Sequence, residues 1–143
     1  KATGPDSIEE TVKLITNGGG KAIAIQCDVT SPEDCKNLIN TSIGQFGSVD
    51  ILINNAGIYI KKDIVSFAID DWDLTMDVNI KGVFLACKYV MPNMMKRSKG
   101  NIINISSMAA SRPMTRVMGY ASAKAAIDNL TKWLAVELAK KHG

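Results

Sequence analysis

Tyr120 and Lys124 are the two side chains in this sequence best suited to proton transfer. They are spaced so that, on a helix, they share one face. A lysine charge about 5 Å from the phenol, at an effective dielectric of about 20, favours the ionised phenol by roughly 3 kcal/mol. A tyrosine poised in this way can act as general acid and base near neutral pH. Alone, the pair also fits a tyrosine packed at a helix start beside a solvated lysine.

Other polar residues accompany this pair. The run Asn54-Asn55-Ala56-Gly57 follows a short apolar segment, and Ser107 precedes Tyr120 just beyond another one. Asn79 lies inside a helical pattern, where asparagine is a poor residue, and a special role is therefore expected for it. A simple helix distortion, or a helix that starts later, is the alternative explanation for Asn79.

The elements that must position these residues alternate between helical and strand-like segments. Helices are predicted after the caps Ser7 and Ser31, from Trp72 onward, and around Tyr120–Lys124. Pro92 is expected to kink or end the third of them. The predicted strands are short and apolar: Ala22–Cys27, Ile51–Ile53 and Asn101–Ser106.

Short buried strands that alternate with helices favour a parallel sheet built of βαβ units and covered by helices on both faces. In such sheets the ligand crevice lies beyond the carboxyl ends of the strands. The turns that follow the three predicted strands begin with Asp28-Val29, Asn54–Gly57 and Ser106-Ser107. These turns together predict a site, although ordinary turns also favour Asn, Gly, Ser and Asp.

As a set, these residues resemble the classical short-chain dehydrogenase/reductase family, in family order and spacing, across essentially all 143 residues. The resemblance implies an α/β fold: one partial Rossmann-like domain over residues 1–143, a central fragment without the first two and last two strands. It also implies a catalytic tetrad and a set of cofactor-binding residues. The implied tetrad is Asn79, Ser107, Tyr120 and Lys124, and the implied cofactor contacts are Asp28, Val29, Asn55, Ala56, Gly57, Tyr120 and Lys124.

The implied reaction is hydride transfer between NAD or NADP and a carbonyl or secondary alcohol. Tyr120 would exchange the hydroxyl proton, Ser107 would hold the substrate oxygen, and Lys124 would hold the nicotinamide ribose and promote ionisation of Tyr120. Asn79 would anchor a water that links Lys124 to solvent. The basic residues near the rim loops fit either an anionic substrate or solvated loop charge: Lys61, Lys62, Arg112 and Arg116.

The sequence also departs from the family pattern. The family begins with a strand and a glycine-rich turn that receives the pyrophosphate at a helix N-terminus. Thr3-Gly4 is followed by Pro5 without a preceding strand, and Gly18-Gly19-Gly20 precedes a strand instead of opening a helix. The alternative function is therefore a non-catalytic fragment or interaction module that keeps the tetrad but cannot bind the dinucleotide. A flavodoxin-like module would explain the βαβ pattern but not the tetrad.

Composition excludes several classes of protein. Hydrophobic residues make up 46% of the chain and charged residues 22%, which excludes intrinsic disorder. Basic and acidic residues are interspersed, so no nucleic-acid partner is expected, and no apolar run approaches a membrane span. Three scattered cysteines and one histidine predict no metal site and no disulfide framework, and favour the cytoplasm. Unpaired sheet edges and two long helices predict a homo-oligomer.

Overall fold

The computed structural model describes the backbone of residues 7–142 and the side chains of residues 7–139. Thr3-Gly4, which the sequence analysis compared with the glycine-rich turn of the family, lies outside these residues. Five α-helices, two strands, two 3₁₀ turns and one π-helical segment form the described chain. They are α1 (Ile8–Asn17), α2 (Pro32–Phe46), β1 (Ile51–Asn54), a 3₁₀ turn (Ile64–Ser66), α3 (Ile69–Met76), the π-helical segment (Asp77–Lys81), α4 (Gly82–Lys96), β2 (Asn101–Asn104), a 3₁₀ turn (Met108–Ala110) and α5 (Met118–His142).

Local capping signals fix the first two helices, as the sequence predicts. The Ser7 hydroxyl accepts a hydrogen bond from the Glu10 amide at 3.2 Å, and the Ser31 hydroxyl accepts one from the Asp34 amide at the same distance. Each bond satisfies an amide that the first helical turn leaves without a partner. Helix α2 ends at Gly47, whose φ of 83° closes the helix in a conformation that only glycine adopts cheaply.

The two strands pair in parallel, in the register Ile51↔Asn101 to Asn54↔Asn104. The Ile105 amide continues the ladder by donating to the Asn54 carbonyl at 3.0 Å. Two of the three predicted strands are therefore present. Ile51–Ile53 is extended by one residue, and Asn101–Ser106 is shortened by two. Their carboxyl ends lie side by side, which brings the turn after Asn54 next to the turn after Asn104.

The segment Ala22–Cys27 is not a strand, contrary to the sequence prediction. A strand exists only when its backbone groups pair with a neighbour, and no described segment forms such a ladder with this one. A run of apolar residues is a property of the segment itself. A strand also needs a hydrogen-bonding partner from elsewhere in the chain. The segment consequently leaves Ile23 exposed.

The long helical region also differs from its prediction. It begins at Ile69 instead of Trp72, passes through the π-helical segment, and continues past Pro92 to Lys96. Proline removes one helical hydrogen bond and crowds the preceding turn. Burial of Val90 and Met94 in the core on either side of Pro92 offsets that cost and keeps the last turn helical.

The core lies on one face of the sheet, where α4 packs between α2 and α5. Leu52 and Ile102 join both hydrophobic clusters of this layer. Alternate residues on the strands point the other way, and Ile51 and Ile53 are each 59% exposed. The fold class predicted from the sequence, an α/β Rossmann-like arrangement with a parallel sheet, is confirmed.

Within the described residues, no helix combines the length and apolarity that a membrane crossing requires.

Candidate active site

Asn79 ties the helical layer to the turn that follows β1. Its side chain is fully buried, and its amide nitrogen donates to the carbonyls of Ile58 and Thr75, both at 2.8 Å. Its amide oxygen accepts from the Ile58 backbone amide at 3.3 Å. The π-helical segment that contains Asn79 is the distortion that the sequence left open, and such segments are frequent at functional sites.

The backbone at Gly57 lies close to both Asn79 and Lys124 because glycine has no side chain. A Cβ atom at this position would lie 2.8 Å from the Asn79 amide oxygen and 3.8 Å from the Lys124 amine nitrogen. The first distance is shorter than atoms tolerate. Glycine is therefore required for the backbone to approach these two groups.

Lys124 is a nearly buried cation, with 4% of the residue exposed. Its amine donates to the Ile105 carbonyl at the end of β2, at 2.6 Å, and lies 5.6 Å from the centroid of the Tyr120 ring. A buried charge is costly unless polar groups or an aromatic face compensate it. The lysine thus holds its charge next to the tyrosine, one helical turn away, as the spacing predicts.

Tyr120 and Ser107 stand at the two ends of the connection between β2 and α5. Tyr120 is half-buried in the first turn of α5, and its ring meets the Tyr59 ring edge-on, with centroids 6.2 Å apart. Ser107 caps the 3₁₀ turn, and its hydroxyl accepts from the Ala109 amide at 3.2 Å. Ser107 and Tyr120 make no hydrogen bond with each other in the described part of the chain. Their joint action on one substrate oxygen therefore stays a prediction.

Three of the predicted cofactor residues lie beside β1 and the start of α4. Val29 packs against Gly82 at the start of α4, where a Cβ would come within 3.0 Å of the valine methyl group. A cleft of about 100 Å³ is lined by Val29, Asn55 and Ala56, among others. Three residues predicted to contact the adenosine half of a dinucleotide therefore share one cleft.

Asp28 is exposed and its carboxylate closes a local turn. It accepts hydrogen bonds from the Thr30 amide at 2.9 Å and the Thr30 hydroxyl at 2.8 Å. These bonds, the backbone one first, hold the pKa of Asp28 below its ordinary value. The charged carboxylate stabilises the loop that carries Val29.

A partly exposed polar ladder, which the sequence pattern had not indicated, aligns the strand ends. The Asn54 side chain donates to the Asn104 amide oxygen at 2.8 Å, and the Asn104 side chain donates to the Thr131 hydroxyl on α5 at 2.9 Å. Equivalent asparagines at the ends of both predicted strands were the available signal. The ladder fixes β1, β2 and α5 relative to one another.

Two of the rim cations are paired with carboxylates. Lys62 contacts Asp71 at 2.6 Å, and Arg116 contacts Asp63 at 3.4 Å. The Lys62 amide also donates to the Arg116 carbonyl at 2.9 Å, which joins the two rim loops. These pairs favour the second sequence interpretation, that of loop charges without a substrate role.

A larger cavity, of about 360 Å³, lies at the opposite end of β2 between the last turn of α4 and α5. Met91, Met94 and Leu134 are among its lining residues. It contains none of the predicted site residues.

Comparison with known proteins agrees with this geometry. The family model described as short chain dehydrogenase matches residues 2–142. The chain belongs to this family. Among curated relatives, glucose 1-dehydrogenase 2 of Bacillus subtilis is 34% identical over 96% of this chain and 54% of its own length. The 3-oxoacyl-(acyl-carrier-protein) reductase of Synechocystis is 36% identical over 98% of this chain and 56% of its own length.

A solved structure of a short-chain dehydrogenase/reductase from Burkholderia xenovorans superposes on this one with a TM-score of 0.89 at 34% identity. It is covered over 54% of its length, and this chain over 95%. The chain therefore spans about half the length of the short-chain dehydrogenases that it matches.

The family implies NAD or NADP as cofactor, and the residues present fit such a group. Val29, Asn55 and Ala56 line an open cleft beside β1 that can receive part of such a group. The Lys124 ammonium has three N–H donors, and within the described part of the chain it uses one of them, on the Ile105 carbonyl. The remaining donors suit the hydroxyl groups of a ribose.

Proposed function

We propose that the whole protein is an oxidoreductase that transfers a hydride between NAD(P)(H) and a carbonyl or secondary alcohol, with Tyr120 as general acid and base. The observation that carries the proposal is the buried ammonium of Lys124, held 5.6 Å from the Tyr120 ring and within reach of Gly57. Burial of a cation is costly unless its surroundings compensate it, and a chemical role beside Tyr120 explains why a lysine occupies this position.

Each residue of the proposed tetrad has its own task. Tyr120 donates a proton to the substrate oxygen in reduction and accepts it in oxidation. Ser107 donates a hydrogen bond to the same oxygen. Asn79 holds the backbone of Ile58, and through a water it would connect Lys124 to solvent.

The cofactor, when bound, supplies or accepts the hydride. Lys124 would hold its nicotinamide ribose, and Asn55, Ala56 and Gly57 would line its adenosine-ribose side. Asp28 and Val29 would lie beside the adenine. The apolar surface of Val29 suits a flat base, and the fixed position of these groups removes the entropy cost of orientation.

The test is kinetic and uses the full-length protein. Tyr120→Phe removes the transferable proton and should lower kcat/KM by about 10² to 10⁴. Lys124→Met removes the buried ammonium that lies beside the Tyr120 ring and should also lower kcat/KM. Tyr89→Phe, on α4, is the matched control and should stay within about twofold. Full activity of Tyr120→Phe would contradict the proposal.

The alternative, a chain that keeps the tetrad but holds no dinucleotide, is tested on the 143-residue chain itself. Calorimetry and cofactor fluorescence with millimolar NADH and NADPH measure binding directly. Heat and a fluorescence change that disappear in Gly57→Val support a working cofactor site. If neither heat nor a fluorescence change is observed while the full-length protein is active, the catalytic proposal holds only for the longer chain.

We also propose that the protein is a homo-oligomer in the cytoplasm. Phe84 on α4 and Trp133 and Val136 on α5 are exposed apolar residues on the two long helices. All three cysteines are free, as in a reducing compartment. Light scattering should give a multimer that Trp133→Glu dissociates, and a Trp133→Glu variant that remains multimeric would favour association through the open sheet edges.

A further inference from the structure

Tyr59 is a large aromatic residue that stands beside Tyr120 and is mostly in solvent. The two rings meet edge-to-face, with an interplanar angle of 66° and centroids 6.2 Å apart. Even so, 67% of Tyr59 is exposed. One contact with Tyr120 leaves most of the ring surface free.

The backbone around Tyr59 is held on both sides. Asn79 binds both the amide and the carbonyl of Ile58, the preceding residue. Three residues further on, the Lys62 amide donates to the Arg116 carbonyl at 2.9 Å, and Asp63 contacts the Arg116 guanidinium. The aromatic ring is therefore carried by a fixed turn, although the ring itself is uncovered.

A purely structural role does not explain this arrangement. Buried tyrosines gain from apolar contact and satisfy their hydroxyl groups, whereas Tyr59 does neither: most of its ring is exposed, and its hydroxyl makes no hydrogen bond to any described residue. An aromatic surface that is preorganised but open is suited to bind a second flat group.

We propose that Tyr59 is a specificity-determining residue that stacks on an aromatic group attached to the reacting carbonyl. The inference rests on the proposed function, because it takes the Tyr120 hydroxyl as the point at which the carbonyl oxygen binds. The centroid of the Tyr59 ring lies 6.2 Å from that of the Tyr120 ring. An aryl ketone or aryl carbinol can reach both residues, whereas a small alkyl ketone reaches only Tyr120.

The experiment measures selectivity in the full-length protein, as the ratio of kcat/KM for acetophenone to kcat/KM for 2-butanone. Tyr59→Ala should lower this ratio about tenfold, the upper range for one aromatic contact. Tyr59→Phe keeps the ring and should keep the ratio. Val65→Ala changes an exposed side chain in the 3₁₀ turn Ile64–Ser66, further along the same connection, and is the matched control.

A second readout does not depend on turnover. Tyrosine-labelled full-length protein is titrated with acetophenone and observed by NMR, and we expect shifts of the Tyr59 and Tyr120 ring signals. 2-Butanone should shift only the Tyr120 signal, and in Tyr59→Ala acetophenone should require a higher concentration to shift Tyr120. Absence of these shifts in the wild-type protein, or an unchanged ratio in Tyr59→Ala, would overturn the inference.

The two proposals fail in different ways. A wild-type protein that reduces neither ketone with NADH or NADPH, yet shows the acetophenone shifts, counts against the redox function and supports the role of Tyr59 in binding. A protein that reduces both ketones, with equal losses in Tyr59→Ala, supports the redox function and excludes Tyr59 as a specificity determinant.

Discussion

Helices α1 and α4 both carry apolar side chains at helical spacing, but only α4 buries them. Ile8, Leu14 and Ile15 of α1 are exposed, and no residue of that helix is buried. On α4, by contrast, Val90 is completely buried in the cluster formed by α2, α4 and the sheet. The comparison teaches that apolar spacing identifies the face that needs a cover, whereas burial depends on a partner elsewhere in the chain.

The extended segments repeat this contrast. Ile51–Asn54 and Ala22–Cys27 have similar apolar sequences, yet only the first is a strand, because β2 supplies its hydrogen-bonding partner. The site follows the same division. Its buried groups, Asn79 and Lys124, belong to the well-packed region. Asp28 is exposed, and its carboxylate bonds only to Thr30 among the described residues.

The contrast between the helices should be largest in stability. In the 143-residue chain, Val90→Ala should lower the free energy of unfolding by about 2 to 3 kcal/mol, since it leaves a cavity in the core. Leu14→Ala on α1 should change it by less than about 0.5 kcal/mol. Urea unfolding measures both. Equal losses would mean that α1 is covered in solution.

A comparable difference is expected between two glycines. Gly57→Ala should cost about 1 to 3 kcal/mol, because the new methyl group would displace the buried Asn79 amide. Gly44→Ala, inside α2 with no atom within 4 Å of the new Cβ, should stabilise the chain by up to about 1 kcal/mol. Thermal unfolding compares them, and a neutral Gly57→Ala would show that the approach to Asn79 is not tight.

The smallest expected effect concerns two exposed carboxylates. The Arg97 hydrogen bond lowers the pKa of Asp50, and the Thr30 hydrogen bonds lower that of Asp28. A lowered folded-state pKa stabilises the protein above the ordinary value of 3.8 and loses that stability as pH falls through the folded pKa.

The Asp50 carboxylate joins the end of α4 to the start of β1, whereas the Asp28 carboxylate bonds only to Thr30 among the described residues. Asp50→Asn should therefore flatten the acid limb of the stability curve more than Asp28→Asn does. Chemical unfolding across the acid range measures both slopes. The reverse order would place the stronger native electrostatic link in the Asp28 loop.

Features encoded locally could be predicted from the sequence. The caps at Ser7 and Ser31 and the shared face of Tyr120 and Lys124 depend on residues within one helical turn, and the structure contains all of them. The π-helical segment and the Tyr59 contact could not be predicted, because they depend on distant pairing. Asn79 bonds to Ile58, and the Tyr59 ring contacts the ring of Tyr120, a residue of α5.

The central claim is that Tyr120 and its lysine neighbour serve hydride transfer, and isotope transfer tests it most directly. The full-length protein is given each 4-deuterated form of NADH and NADPH with a panel of ketones that includes acetophenone. We predict that one deuterated form places deuterium on the carbinol carbon of the product, at a rate at least 10²-fold lower in Tyr120→Phe. Product alcohol without deuterium, or equal rates in the two proteins, would contradict the account.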